Sequence, residues 1–151
     1  MGFKSFFVFH SFMFFLWVVN ASFAQVNPDD ILGKWMTEKK EAVVQIFKTN
    51  DHKYAGKIIW LEKPLENGKP VLDKKNPNPE LRSRPIMGLV FIAGFEFQNE
   101  EWINGILYDA QTGNTYKAKM TLKDKNTLDL RGYIGSPMFG RTTTWTRRND
   151  K

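Results

Sequence analysis

Two kinds of side chain in this sequence could bind a small molecule, namely aromatic rings at alternating positions and arginines near them. Aromatic rings supply apolar walls, and a guanidinium presents a planar set of donors that fits a carboxylate or a phosphate. The pattern therefore predicts a ligand site with aromatic walls and an anion-binding end. The candidate residues are Trp60, Phe91, Phe95, Trp102 and Tyr116 for the walls, and Arg82 and Arg131 for the anion.

The groups that enzymes use for acid–base or covalent chemistry are scarce. The chain contains no cysteine, and beyond residue 24 its only histidine is His52, in a predicted turn. A Ser–His–Asp unit would need His52 beside Ser83 or Ser136, and nothing in the sequence places them together. A transition-metal site built from His and Cys is nearly excluded by the same counts. The sequence predicts no catalytic residue, no metal, no cofactor and no enzyme.

A charged stretch with five prolines, residues 62–85, interrupts the strand-like pattern. Asp73 and Asn76 can cap turns with their side chains, and Arg82 and Arg84 follow. Connections of this length are often functional, so one interpretation is a lid or rim over a small anionic or amphipathic ligand. The other is an internal Asp–Arg clasp that orders a long loop. The sequence leaves both open and favours the clasp, because structural ion pairs are common.

The elements that would position these residues are strands. Alternating apolar and polar residues, as in Tyr116, Ala118, Met120 and Leu122, recur between short turns from Trp35 to the end of the chain. We count eight strands joined by short hairpins and one long loop, after a short N-terminal helical turn at Asn27–Asp30. Sequential hairpins favour closure, because a closed sheet has no exposed edge. The prediction is an all-β, eight-stranded antiparallel up-and-down barrel.

One end of such a barrel needs a seal, and the stretch "ILGKW" offers it. Gly33 allows a sharp bend into the first strand, and Trp35 then fills the base of the barrel. An arginine on the last strand can stack on the indole, and the candidates are Arg141 and Arg147.

The first 24 residues have the three-part pattern of a secretory signal. Lys4 precedes an apolar run from Phe6 to Val19, and Ser22 and Ala24 are the small residues of a cleavage site before Gln25. We predict a cleaved signal peptide over 1–24, one domain over 25–151, and a periplasmic or secreted monomer without a membrane span. The net charge is +6. Because the basic residues are scattered among acids, we predict no nucleic-acid binding.

Several motifs carry a family resemblance. Gly33, Trp35 and a late arginine resemble the lipocalin and calycin superfamily. The chain is also similar to the bacterial exported family catalogued as domain of unknown function 2147. That likeness rests on five segments in order: "GKW", "LDKKNPNPELRSRPIMGL", "WINGILYDAQTGNTYKAKMTL", "LDLRGYIG" and "GRTTTWTR". The resemblance implies a lipocalin-like fold and export, and it implies no catalytic residue.

Taken together, these patterns predict an exported protein that holds an apolar or amphipathic molecule in the barrel or at its mouth. The aromatic residues of the walls could equally fill the barrel. In that case the alternative is an envelope or surface module that contacts protein or glycan through the 62–85 loop.

Overall fold

Eight strands close into one antiparallel barrel in the computed structural model, which describes residues 25–149. Each barrel strand pairs with the next one along the chain, and the first strand pairs with the last. The predicted up-and-down barrel is therefore confirmed. The predicted signal peptide, residues 1–24, lies outside the described residues.

The elements follow one another with short connections except for one long loop. Within the described residues, three 3-10 helices lie at Pro28–Ile31, Pro79–Leu81 and Pro137–Phe139. The long loop, residues 62–89, also contains a small hairpin formed by Leu65–Glu66 and Lys69–Pro70. The ten strands of residues 25–149 are β1 Gly33–Met36, β2 Ala42–Lys48, β3 Tyr54–Leu61, β4 Leu65–Glu66, β5 Lys69–Pro70, β6 Val90–Gln98, β7 Glu101–Asp109, β8 Asn114–Asp124, β9 Thr127–Tyr133 and β10 Gly140–Arg147.

The first 3-10 helix and Trp35 seal one end of the barrel, which we call the closed end. Trp35 is 0% exposed, and its Nε1 donates to the carbonyl oxygen of Ile31 at 2.9 Å. Gly33 has φ +127°, a value that favours glycine and turns the chain into β1. The guanidinium of Arg147 lies 4.1 Å from the centre of the Trp35 ring. The stacking arginine is thus Arg147, while Arg141 lies elsewhere.

Large side chains fill the half of the barrel nearest this end. Trp102 lies edge-on to Tyr54, with ring centroids 6.3 Å apart, and its Nε1 donates to the Pro28 carbonyl oxygen at 3.1 Å. Phe95 and Met120 are also fully buried in this cluster. The core therefore lies low in the barrel and joins the N-terminal helix to the strands.

A β-bulge changes the orientation of Trp60. Val43 pairs with Trp60 while Val44 pairs with Ile58, so Ile59 is an extra residue on β3. The bulge reverses the alternation beyond Ile58 and turns Trp60 outward, where its side chain is 38% exposed. The prediction that Trp60 forms an interior wall is wrong for this reason.

Candidate functional site

The second end of the barrel, the open end, contains a cavity. Four connections surround it: residues 37–41, 62–89, 110–113 and 134–139. The cavity has a volume of about 590 Å³ and opens to solvent. Ligand pockets in proteins commonly measure about 300–1,000 Å³. The barrel is therefore filled below and hollow above.

Apolar side chains form the walls and floor of this cavity. Trp145, which is buried, forms part of the floor, and Phe91 lies beside it with ring centroids 6.2 Å apart. Leu107 and Leu130 contribute to the wall formed by β7, β8 and β9, and Ile58 contributes from β3. Such walls can hold an apolar group away from water. The gain in binding free energy is roughly 25 cal/mol for each Å² of apolar surface that is buried.

Most of the polar and charged groups that line the cavity lie in its upper part. On β10 the inward-facing positions are Trp145, Thr143 and Arg141, so the arginine lies at the mouth above the buried indole. Tyr116 and Tyr133 contribute to the same upper region. The arrangement offers an apolar interior below a polar rim.

An apolar lip borders the mouth at the β9–β10 connection. Ile134 is 71% exposed, and Met138 and Phe139 are each 79% exposed. Arg131 holds this connection from below. Its Nε donates to the Pro137 carbonyl oxygen at 2.6 Å, and its terminal nitrogens donate to the Met138 carbonyl oxygen at 3.3 Å and to Thr142 Oγ1 at 2.8 Å. The exposed side chains therefore project from a fixed loop, and Ile134 and Phe139 line the cavity.

The long loop is held by a buried carboxylate. Asp73 is fully buried and accepts hydrogen bonds from Tyr108 Oη at 2.6 Å, Asn76 Nδ2 at 2.8 Å and Arg84 Nε at 2.8 Å. A terminal nitrogen of Arg84 lies 2.7 Å from the same carboxylate. This is the clasp that the sequence favoured, closed by Arg84. Because Tyr108 is on β7, the clasp ties the loop to the barrel.

Two opposing effects act on the pKa of Asp73. Burial raises it, but the hydrogen bonds from Tyr108, Asn76 and Arg84, with the charge of Arg84, outweigh burial and hold the pKa below its ordinary value. The pKa of Tyr108 is raised by burial and by its hydrogen bond to Asp73. The carboxylate is therefore ionised and the phenol protonated at neutral pH, as the clasp requires.

The predicted wall residues divide between the cavity and the core. Phe91 and Tyr116 line the cavity. Phe95 and Trp102 lie in the filled half, where the Phe95 ring covers Gly105. Trp60 faces outward beyond the bulge on β3. Two of the five predicted rings are thus at the site.

Neither predicted anion-binding arginine faces the cavity. Arg82 donates from Nε to the Asn76 carbonyl oxygen at 2.8 Å, within the long loop, and Arg131 is engaged with the lip. Arg141, which was a candidate for stacking on Trp35, lies at the mouth instead. The period of two counted back from Trp145 places Arg141 on the inward face of β10.

Other residues that sequence reasoning considered lie away from the cavity. His52 is in the β2–β3 turn at the closed end and is exposed. Within residues 25–149, no three His, Cys, Asp or Glu side chains come close enough together to hold a metal ion. No helix in that part of the chain has the length and apolar character needed to span a membrane.

Comparisons with known proteins agree with this architecture. A family model described as "Uncharacterized protein conserved in bacteria (DUF2147)" matches residues 33–147. One solved structure is similar over 79% of this chain and 83% of its own, with 26% identity and a TM-score of 0.68. It is protein HP1028 from Helicobacter pylori, described as belonging to the lipocalin family. A comparison with curated proteins gives no match.

Proposed function

We propose that this chain, which belongs to the bacterial family DUF2147, binds a small apolar or amphipathic molecule in the open end of its barrel. One observation carries the proposal: an apolar-walled cavity of about 590 Å³ lies above a solid core. A lipocalin-like barrel is an architecture suited to holding one small molecule. The exposed Ile134 and Phe139 would contact the upper part of the ligand.

The rival interpretation required a filled barrel that acts through the 62–85 loop. The cavity at the open end argues against a filled barrel. The clasp at Asp73 also accounts for the order of the loop without a partner. These two observations favour small-molecule binding over a surface module. Such binding requires no catalytic group.

Export is part of this proposal and rests on the sequence pattern of residues 1–24. Sequencing the N-terminus of protein recovered from the cell envelope or the medium should give Gln25 as the first residue. Recovery of a chain that begins at Met1 would argue against cleavage.

A pair of substitutions on β10 tests the cavity as the binding site. Thr143 points into the cavity, whereas Thr146 is exposed on the outer face of the same strand. Thr143→Trp should occupy the cavity and abolish binding of the neutral fluorescent probe N-phenylnaphthylamine, followed by its emission. Thr146→Trp introduces the same ring outside the barrel and should leave the affinity unchanged. Equal probe affinity for both variants would exclude the cavity as the binding site. Failure of the probe to bind the unmodified protein would count against the proposed small-molecule binding.

A further inference from the structure

We infer that the ligand is a single-chain amphiphile with an anionic head group, and that Arg141 binds this head group at the mouth. The inference rests on the proposed function and names the class of ligand. It starts from the inward-facing series of β10, in which Trp145 is buried, Thr143 is half-buried and Arg141 is exposed. The strand thus grades from an apolar floor to a cation at the mouth.

Arg141 differs from the other arginines of the described chain. Among residues 25–149, it is the only arginine whose guanidinium makes no hydrogen bond, ion pair or ring contact. The other five are engaged with carbonyl oxygens, a carboxylate or an aromatic ring: Arg82, Arg84, Arg131, Arg147 and Arg148. Arg141 therefore has all its donors available to a ligand.

The geometry fits an elongated amphiphile. Arg141 lies four residues from Trp145, which at ~3.3 Å per residue separates their Cα atoms by roughly 13 Å along the strand. Between them the cavity is lined by Phe91, Leu107 and Leu130. An alkyl chain can fill this depth while a carboxylate or phosphate reaches the guanidinium, whose two parallel N–H groups match two anionic oxygens.

Other charged groups at the mouth bear on the choice of head group. Glu38, Glu41, Asp109 and Lys39 also line the cavity. Glu38 Oε1 accepts from the Thr144 backbone N–H at 3.2 Å. Asp109 accepts from the Gln111 N–H at 2.9 Å and from Thr112 Oγ1 at 2.8 Å. Glu38 and Asp109 thus have donors of their own, from β10 and from the β7–β8 turn respectively, whereas the guanidinium of Arg141 has no acceptor. A cationic head group bound by these acids is the competing outcome.

The test compares head groups on one chain length by calorimetric titration at low salt and pH 8. The probes are decanoate, decyl phosphate, decanol and decylammonium. We expect either anion to bind at least tenfold more tightly than decanol, and decylammonium to bind most weakly. The Arg141→Gln variant should lose that tenfold preference and keep its affinity for decanol. Arg148→Gln, an exposed arginine on the outside of the barrel, should behave like the unmodified protein.

The outcomes separate this inference from the proposed function. Decanol binding as tightly as the anions, with Thr143→Trp still blocking it, would overturn the anionic class and leave the cavity site intact. Tighter binding of decylammonium would assign the mouth to Glu38, Glu41 and Asp109. An equal loss of all four probes in Arg141→Gln would make the arginine a structural residue. Failure of every probe to bind the unmodified protein would overturn both proposals.

Discussion

At the closed end, Trp35 joins three parts of the chain through one side chain. Its Nε1 bonds to the N-terminal helix, and its ring lies in the core and beneath Arg147. Arg147 in turn donates to the carbonyl oxygens of Leu32 at 2.8 Å and Lys125 at 2.6 Å. The indole and the guanidinium therefore couple the helix, the first strand and the last strand. That coupling explains why both residues lie where the barrel closes.

Replacing Trp35 with Ala should lower the free energy of unfolding by about 3–5 kcal/mol, since it leaves a cavity and an unpartnered Ile31 carbonyl oxygen. A domain of this kind has roughly 5–15 kcal/mol in total. Urea titration followed by circular dichroism measures the loss. Trp35→Phe keeps a ring below Arg147 and should lose less. Trp60→Ala, at an outward-facing position, is the matched control, and a loss as large as that of Trp35→Ala would contradict the role of Trp35 as the seal.

At the scale of elements, the long loop and the β7–β8 turn form one unit. The clasp at Asp73 joins the loop to Tyr108 at the end of β7. The loop backbone also approaches the next turn, because a Cβ added at Gly113 would lie 2.1 Å from the Lys75 carbonyl oxygen. The loop is thus fixed to the rim of the open end by both a side chain and its backbone.

Gly113→Ala should displace the loop from the rim. Gly113 has φ +78° and no room for a Cβ, whereas Gly68 has φ +75° and no atom within 4 Å of the position that a Cβ would take. Gly68→Ala should therefore lower the free energy of unfolding only through backbone strain, by about 1–2 kcal/mol. Gly113→Ala should lower the free energy of unfolding by a further ~1–3 kcal/mol, because the added Cβ clashes with the Lys75 carbonyl oxygen. Urea titration of both variants gives the difference, and equal losses would show that the Lys75 contact carries no energy.

The sequence predicts elements better than it predicts contacts between them. Strict alternation identified the strands, because each strand has one face toward the interior. It could not show the bulge on β3, which needs only one extra residue and leaves no compositional mark, so Trp60 was assigned to the wrong face. The sequence offers two arginines, Arg82 and Arg84, as ion-pair partners of Asp73. It does not indicate the hydrogen bond from Tyr108, because tertiary contacts set the path of the loop. Arg141 and Arg147 are separated by an even number of residues, so alternation places both on the inward face of β10. It cannot show which of them lies at the open end and which at the closed end.

At the scale of the whole molecule, the barrel has two ends with different tasks. The closed end is filled by the core cluster and sealed by the N-terminal helix. The open end has the cavity, the fixed lip and the clasped loop. Stability is therefore concentrated at one end, and the other end is free to keep an unfilled interior. This division explains how one barrel can both be held by packing without disulfides and leave space for a ligand.

Ligand binding should consequently slow local hydrogen exchange at one end only. A molecule that binds the folded state alone adds about 2.7 kcal/mol at a concentration 100 times its dissociation constant, which slows every amide that exchanges through global unfolding. Amides that exchange through local opening respond only where the ligand makes contact. With N-phenylnaphthylamine at saturation, hydrogen exchange should slow in residues 37–41 and 134–139. Exchange should stay unchanged in the closed-end turns, residues 49–53 and 99–100. Protection that appears at those turns instead would place the ligand outside the cavity, because the core between the two ends leaves no space through which the probe could reach both.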